Sequence, residues 1–315
     1  MVQTESLSIN EIIKKIKNYE TFEAVPIDKS FHLKIRSYLP FISAAIHSGS
    51  NLRGNLINKV IHNDYERWYE EDPHTDTFIS SMPITITGND SRFEYDLNRS
   101  LENCVYEDAW GKQVWRKPLS KAIIKESQQK HKNFYKIIDA LVQSIELKFG
   151  GCIVFDMHSY NYVRHEKNVP VFNIGTKNID SVKYKESIDF WFNKLKSIPI
   201  RSIESSTELN GPFQGNGYLL LHVSKKFKNT LVLATEIKKI YCNELDWNDY
   251  PLVINDLEEG FKKIIIETSQ FFAENQLKLK VKRKSLLSLG IGEKLKTVDK
   301  TLYHLTKSLE VLSYV

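Results

Sequence analysis

Cysteine is scarce in this chain. There are three in 315 residues, Cys104, Cys152 and Cys242, an odd number with no Cys-x-x-Cys spacing. That excludes a disulfide framework and a cysteine-based zinc site, and it fits a reducing cytoplasm. No apolar run reaches the roughly 18 residues needed to span a bilayer, and the first residues lack a cationic stretch followed by an apolar one. Neither export nor membrane anchoring is therefore expected. Charge is balanced as well: 44 Lys and Arg stand against 39 Asp and Glu, a net +5, with no acidic or basic half. A mildly basic surface of this kind attracts small carboxylates as readily as nucleic acid and selects neither. Repeats and low-complexity tracts are missing too.

What is present is the alternation of an α/β protein, with 41% hydrophobic residues to fill a core. Residues 8–18 place Ile9, Ile12, Ile13 and Ile16 on one helical stripe, with Ser8 or Asn10 as cap. Three short apolar runs read as buried strands: 41–46 leads to His47, 151–157 to His158 and 230–235 to Glu236. Helical patterns at 119–149 and 182–197 lie between them. The expected organisation is one domain over 1–315, with a helical extension in 1–35, a core in 36–250 and helices in 251–315. The segment 278–284, in which Lys and Arg alternate with Leu and Val, fits an edge strand guarded by lysines better than a nucleic-acid site, since no RNA-binding motif accompanies it.

In open α/β sheets, ligands bind at the carboxyl ends of the strands, where His47, His158 and Glu236 would converge. Two histidines and an acidic residue make the three-ligand, one-open-position set of catalytic zinc, whereas a single histidine at a strand end more often bonds backbone. Between the histidines lie the acidic run Glu70-Glu71-Asp72 and the segment Ser91-Arg92 through Asp96-Leu97-Asn98-Arg99. The glycine-rich stretch Gly211 to Tyr218 either admits a ligand to backbone or simply turns the chain.

In order, Arg92, Asn98-Arg99, Asp156-Met157-His158-Ser159-Tyr160 and Glu236 resemble the signatures of zinc carboxypeptidases. Ile46-His47-Ser48-Gly49, Ser91-Arg92 with Asp96-Leu97-Asn98-Arg99, and Asp156-Met157-His158-Ser159 are closer still to the N-formylglutamate amidohydrolase family, from about residue 40 to about residue 245. The resemblance implies a mixed, mostly parallel sheet flanked by helices, the phosphorylase/hydrolase-like fold of zinc carboxypeptidases. It implies one Zn2+ per chain on His47, Asp72 and His158, with Glu71 as the alternative to Asp72 or as an outer neighbour. Glu236 would be the general base and Arg92 the oxyanion partner. Asn98 and Arg99, with Gly215 and Gly217, would bind a small carboxylate substrate, and Asp156 would orient His158. The implied reaction is hydrolysis of N-formyl-L-glutamate to formate and glutamate. A carboxypeptidase-like peptidase or a non-catalytic binding protein are the alternatives, because the His-x-x-Glu spacing is missing and the glycine loop is altered. No nucleic-acid or membrane partner is expected, and the sequence sets no oligomeric state.

Overall fold

The computed structural model describes residues 3–165 and 168–279. The strands are β1 (Glu5–Leu7), β2 (Phe22–Pro26), β3 (Phe31–Ile35), β4 (Phe41–Ala45), β5 (Ile84–Gly88), the hairpin β6 (Asp108–Ala109) and β7 (Lys112–Gln113), β8 (Cys152–Tyr160), β9 (Phe172–Gly175), β10 (Thr207–Leu209) and β11 (Thr230–Lys238). The helices are α1 (Ile9–Lys17), α2 (Gly54–Ile57), α3 (Asp64–Glu70), α4 (Lys121–Phe149), α5 (Lys185–Lys196), α6 (Tyr218–Lys226) and α7 (Pro251–Asn275). Nine strands form one sheet in the order β1-β2-β3-β5-β4-β8-β11-β9-β10. The pairs β2/β3, β3/β5 and β9/β11 are antiparallel and all other neighbours parallel.

Residues 3–35 are not a helical extension. They supply the single helix α1, capped by a reciprocal Ser8/Glu11 box, and three strands that widen the sheet on the β5 side. These strands are short and half-polar on their outer positions, so their periodicity is faint beside the stripe of α1. At the other end α7 begins at Pro251, a residue suited to the first turn because it has no N–H to satisfy. The basic segment from residue 280 and the remainder of the helical region expected in 251–315 lie outside the described residues. Among the described residues, no helix is long and apolar enough to cross a membrane.

The central strands β4 and β8 are buried along their whole length, as parallel strands covered on both faces must be. Trp191 of α5 packs on Phe155, while Phe134 of α4 packs on Phe31. Register across β8, β4, β5 and β3 aligns Phe155 with Ser43, Thr85 and Lys34, so Phe31 projects from the opposite face. Helices α4 and α5 therefore cover the two faces. Each fully buried large apolar side chain of this kind contributes about 1.5–3 kcal/mol. Asp156 and His158 lie on the α4 face, and Glu236, directly across from His158 in parallel register, shares it.

Candidate active site

A cleft of about 350 Å3 opens at the carboxyl ends of β4, β8 and β11. His47 stands two residues beyond β4, in a turn pressed against the end of β5. There, a Cβ on Gly49 would come within 2.3 Å of the Asn89 carbonyl carbon, which is why the histidine is followed by Ser-Gly. His158 is carried within β8 itself, since that strand runs on to Tyr160. Asp72 comes from the irregular segment after α3, and its N–H donates to the His47 carbonyl at 3.0 Å.

These three side chains are buried, and one potential ligand atom from each lies within 4.8 Å of the others. The Nδ1 atoms of His47 and His158 face the same Asp72 oxygen, Oδ2, at 3.3 and 3.1 Å. Their Nε2 atoms face outward carboxylates: His47 meets Asp96 Oδ1 at 2.8 Å, and His158 meets Asp156 Oδ1 at 3.0 Å. On His47, the hydrogen bond to Asp96 favours the ring proton on Nε2 and directs Nδ1 inward; on His158 it is Nδ1 that hydrogen-bonds, to Asp72 Oδ2, and Nε2 has no hydrogen-bond partner. His47 Nδ1 is a buried nitrogen without a hydrogen-bond partner. Two imidazole nitrogens and a carboxylate oxygen suit a borderline divalent ion such as zinc, with the cleft side left open to a further ligand. The residues present fit that group.

Charge is tightly coupled here. Burial alone would raise Asp72, but its hydrogen bond to His158 and the neighbouring His47 ring hold it well below the usual carboxylate range. Burial likewise opposes charge on His158, yet Asp156 and Asp72 raise its pKa well above the ordinary histidine value. Glu236 stands on the cleft wall, partly exposed, and burial of its carboxyl pushes it up to about 8, with His158 pulling the other way.

Asp96 carries more of the site than the sequence suggested. Besides His47, its carboxylate accepts from Arg92 Nε at 3.2 Å, Arg92 Nη2 at 2.8 Å and the Tyr106 hydroxyl. It does not form a side-chain pair with Arg99. The turn is closed instead by the Arg99 N–H to the Asp96 carbonyl at 3.2 Å and by the Asn98 N–H to Asp96 Oδ1 at 2.6 Å. The signal available in sequence is the i, i+4 spacing of Arg92 and Asp96. Arg92 also donates through Nη1 to the Glu70 carbonyl at 2.9 Å and stacks on Trp110, which leaves one N–H on each terminal nitrogen.

Glu71 does not join the cluster. Its carboxylate turns away to the Ser91 hydroxyl and does not line the cleft, and burial pushes it up to about 7. Adjacent residues in extended backbone point to opposite sides, so only one of Glu71 and Asp72 can face the histidines. Nor are Asp96 and Asp156 rivalled by Glu71 as outer neighbours, because it contacts neither ring.

Asn98, Arg99, Gly215 and Gly217 line the opposite wall with Asn173, Phe213 and Gln214. Arg99 is exposed and has no ion pair among the described residues. The Asn98 side chain is partly engaged in the scaffold: it packs on Gly217 and accepts from the Leu219 N–H at 3.4 Å, in the first turn of α6. Gly215, at φ +83°, lies so close to Gly175 of β9 that a Cβ on it would fall 2.7 Å from the Gly175 carbonyl carbon. The glycine loop thus fits both readings offered by the sequence, a ligand-facing edge and a close backbone contact.

Glu236 does not pair with Lys238 or Lys239 on an exposed edge. Lys238 lies over the Tyr162 ring, and Lys239 is buried, its ammonium bonded to the carbonyls of Trp68, Tyr69 and Glu71.

Fold and cluster together describe an α/β protein with three side chains at its strand ends that could hold a metal ion. More narrowly, the N-formylglutamate amidohydrolase family model matches residues 39–242, and the chain belongs to that family. No curated protein sequence matches it significantly. Among solved structures it is similar to an N-formylglutamate amidohydrolase from Ralstonia eutropha JMP134, at 14% identity and a TM-score of 0.63, over 77% of this chain and 99% of that one. A gene product of Agrobacterium tumefaciens is similar at 14% identity and a TM-score of 0.56, over 76% of this chain and 95% of that one.

Proposed function

We propose that the protein is a zinc-dependent amidohydrolase that releases formate from N-formyl-L-glutamate. The observation that carries this is the convergence of His47, Asp72 and His158 around an unpartnered buried Nδ1, within a cleft that also holds Glu236 and Arg99. Zn2+ on that set supplies Lewis acidity toward the scissile carbonyl and toward water. The carboxylates that now favour a protonated His158 would equally favour the cation, so metal binding releases protons.

The chain's own groups then divide the work. Glu236 takes the proton from attacking water and returns it to the departing amine, and a proton affinity near neutrality suits both halves of that exchange. Arg92, fixed by Asp96 and Glu70, aims its remaining N–H groups at charge developing on the acyl oxygen. Arg99 receives the amino-acid carboxylate through its fork of donors, with Asn98 beside it. Asp96 holds the His47 ring with Nδ1 directed inward, and Asp156 stands 3.0 Å from Nε2 of His158.

Elemental analysis of the purified protein, paired with formate release before and after chelation and zinc restoration, tests this reading. About one zinc per chain with chelator-sensitive formate release is the expected result. Zinc without formate release would overturn the substrate, and no zinc after reconstitution would overturn the mechanism.

A further inference from the structure

Among the described residues, Lys239 is a cation with no carboxylate partner, buried to 1% exposure just beyond the strand that carries Glu236. Its ammonium has three donors, and three backbone carbonyls receive them: Tyr69 at 2.7 Å, Glu71 at 2.8 Å and Trp68 at 3.4 Å. These carbonyls belong to the end of α3 and the residue that precedes Asp72. The last carbonyls of a helix have no intrahelical partner, and the negative end of its dipole favours a cation. Asn161 adds a second donor to the Tyr69 carbonyl at 2.6 Å, Arg92 captures the Glu70 carbonyl, and the Tyr241 hydroxyl donates to Pro73 at 2.9 Å. From Trp68 to Pro73 the chain is thus pinned on both sides of Asp72 by side chains from the ends of β8 and β11 and from the Arg92 turn. Among these anchors, Lys239 alone grips three carbonyls at once. It also ties the Glu236 strand directly to the Asp72 segment.

We propose that Lys239 is a positioning residue for Asp72: it fixes the backbone from which this carboxylate reaches the two histidines, and thereby sets the affinity of the site for its metal ion. The inference rests on the metal site proposed above and assigns the lysine no contact with substrate. It predicts a defect in metal affinity that saturating metal repairs, which a general loss of stability would not give.

The test measures zinc affinity by competition with a chelator for the wild type, Lys239→Met and Lys239→Gln. Ile16→Ala serves as a control, a core truncation in α1 that destabilises the fold without touching the α3 end. Lys239→Met is expected to bind zinc about 10–100-fold more weakly, the usual cost of losing an outer-layer support. Lys239→Gln, which keeps an amide donor, should fall between it and wild type, and Ile16→Ala should match wild type. Saturating zinc should return kcat of both Lys239 variants to within about twofold of wild type. If Lys239→Met does not fold, Lys239→Gln decides by the same measurements. Wild-type affinity in a folded Lys239 variant, or an equal loss in Ile16→Ala, would overturn the proposal. Failure of the wild type itself to bind zinc would instead overturn the metal reading on which it rests.

Discussion

On the histidine side of the cleft, position is set by side chains. Two layers of carboxylate, Asp72 within and Asp96 and Asp156 outside, surround the two rings, so that a carboxylate oxygen lies within 3.3 Å of every ring nitrogen. On the facing side, position is set by backbone. The loop ending at Gly217 lies against Gly175 with no room for a Cβ at Gly215, and Asn98 ties it to the first turn of α6. The difference teaches which kind of change each wall tolerates. The first fails when a polar partner is lost, since a buried charge is then uncompensated. The second fails when an atom is added.

Substitutions that separate the two walls follow from this contrast. His158→Ala should have the largest effect, reducing both bound zinc and formate release to background, checked by elemental analysis and turnover. Glu236→Gln should keep the metal and lower kcat by about 10^2–10^4-fold, the contribution of a positioned general base. Turnover near wild type in that variant would remove Glu236 from the mechanism. Asp96→Asn should weaken zinc affinity by about 10–100-fold, because His47 loses its outer carboxylate and Arg92 its partner. Gly215→Ala should leave zinc stoichiometry unchanged and raise KM, since a left-handed backbone at φ +83° and the clash with Gly175 displace only the far wall. Loss of metal in that variant would show that the walls are not independent. The smallest effect should come from Arg201→Ala, far from both walls. Arg201 holds the half-buried Asp256 down at about 2, so its favourable contribution is present above the ordinary Asp pKa and fades as pH falls toward 2. Removing it should cost about 0.5 kcal/mol in chemical denaturation at neutral pH, and less in high salt.

The strands β4, β8 and β11 were legible because a strand buried on both faces must be an apolar run, and the residues that end such runs are conspicuous when polar. Helix α4 was legible for the opposite reason, its long periodic stripe bounded by Ser120 as cap and by Gly150 in a left-handed conformation. The strands β1 to β3 were hidden beside α1, since short, partly exposed strands carry weak patterns. The glycine loop was visible as a feature but ambiguous in meaning, because a turn and a close backbone approach call for the same residue.

By itself, the sequence determined the alternating α/β architecture, the two histidines at its strand ends and the family signature around them. These are local properties, written in burial period and short spacing. Tertiary structure alone decided that Asp72 rather than Glu71 meets the histidines, that Asp96 serves His47 and Arg92 rather than Arg99, and that Lys239 is buried on the carbonyls beside Asp72. Each of those choices involves a partner distant in the chain: 86 residues separate Asp72 from His158, 49 separate His47 from Asp96, and 168 separate Glu71 from Lys239. Local periodicity carries no record of such partners, because it fixes which face a residue occupies and not what the fold brings against it.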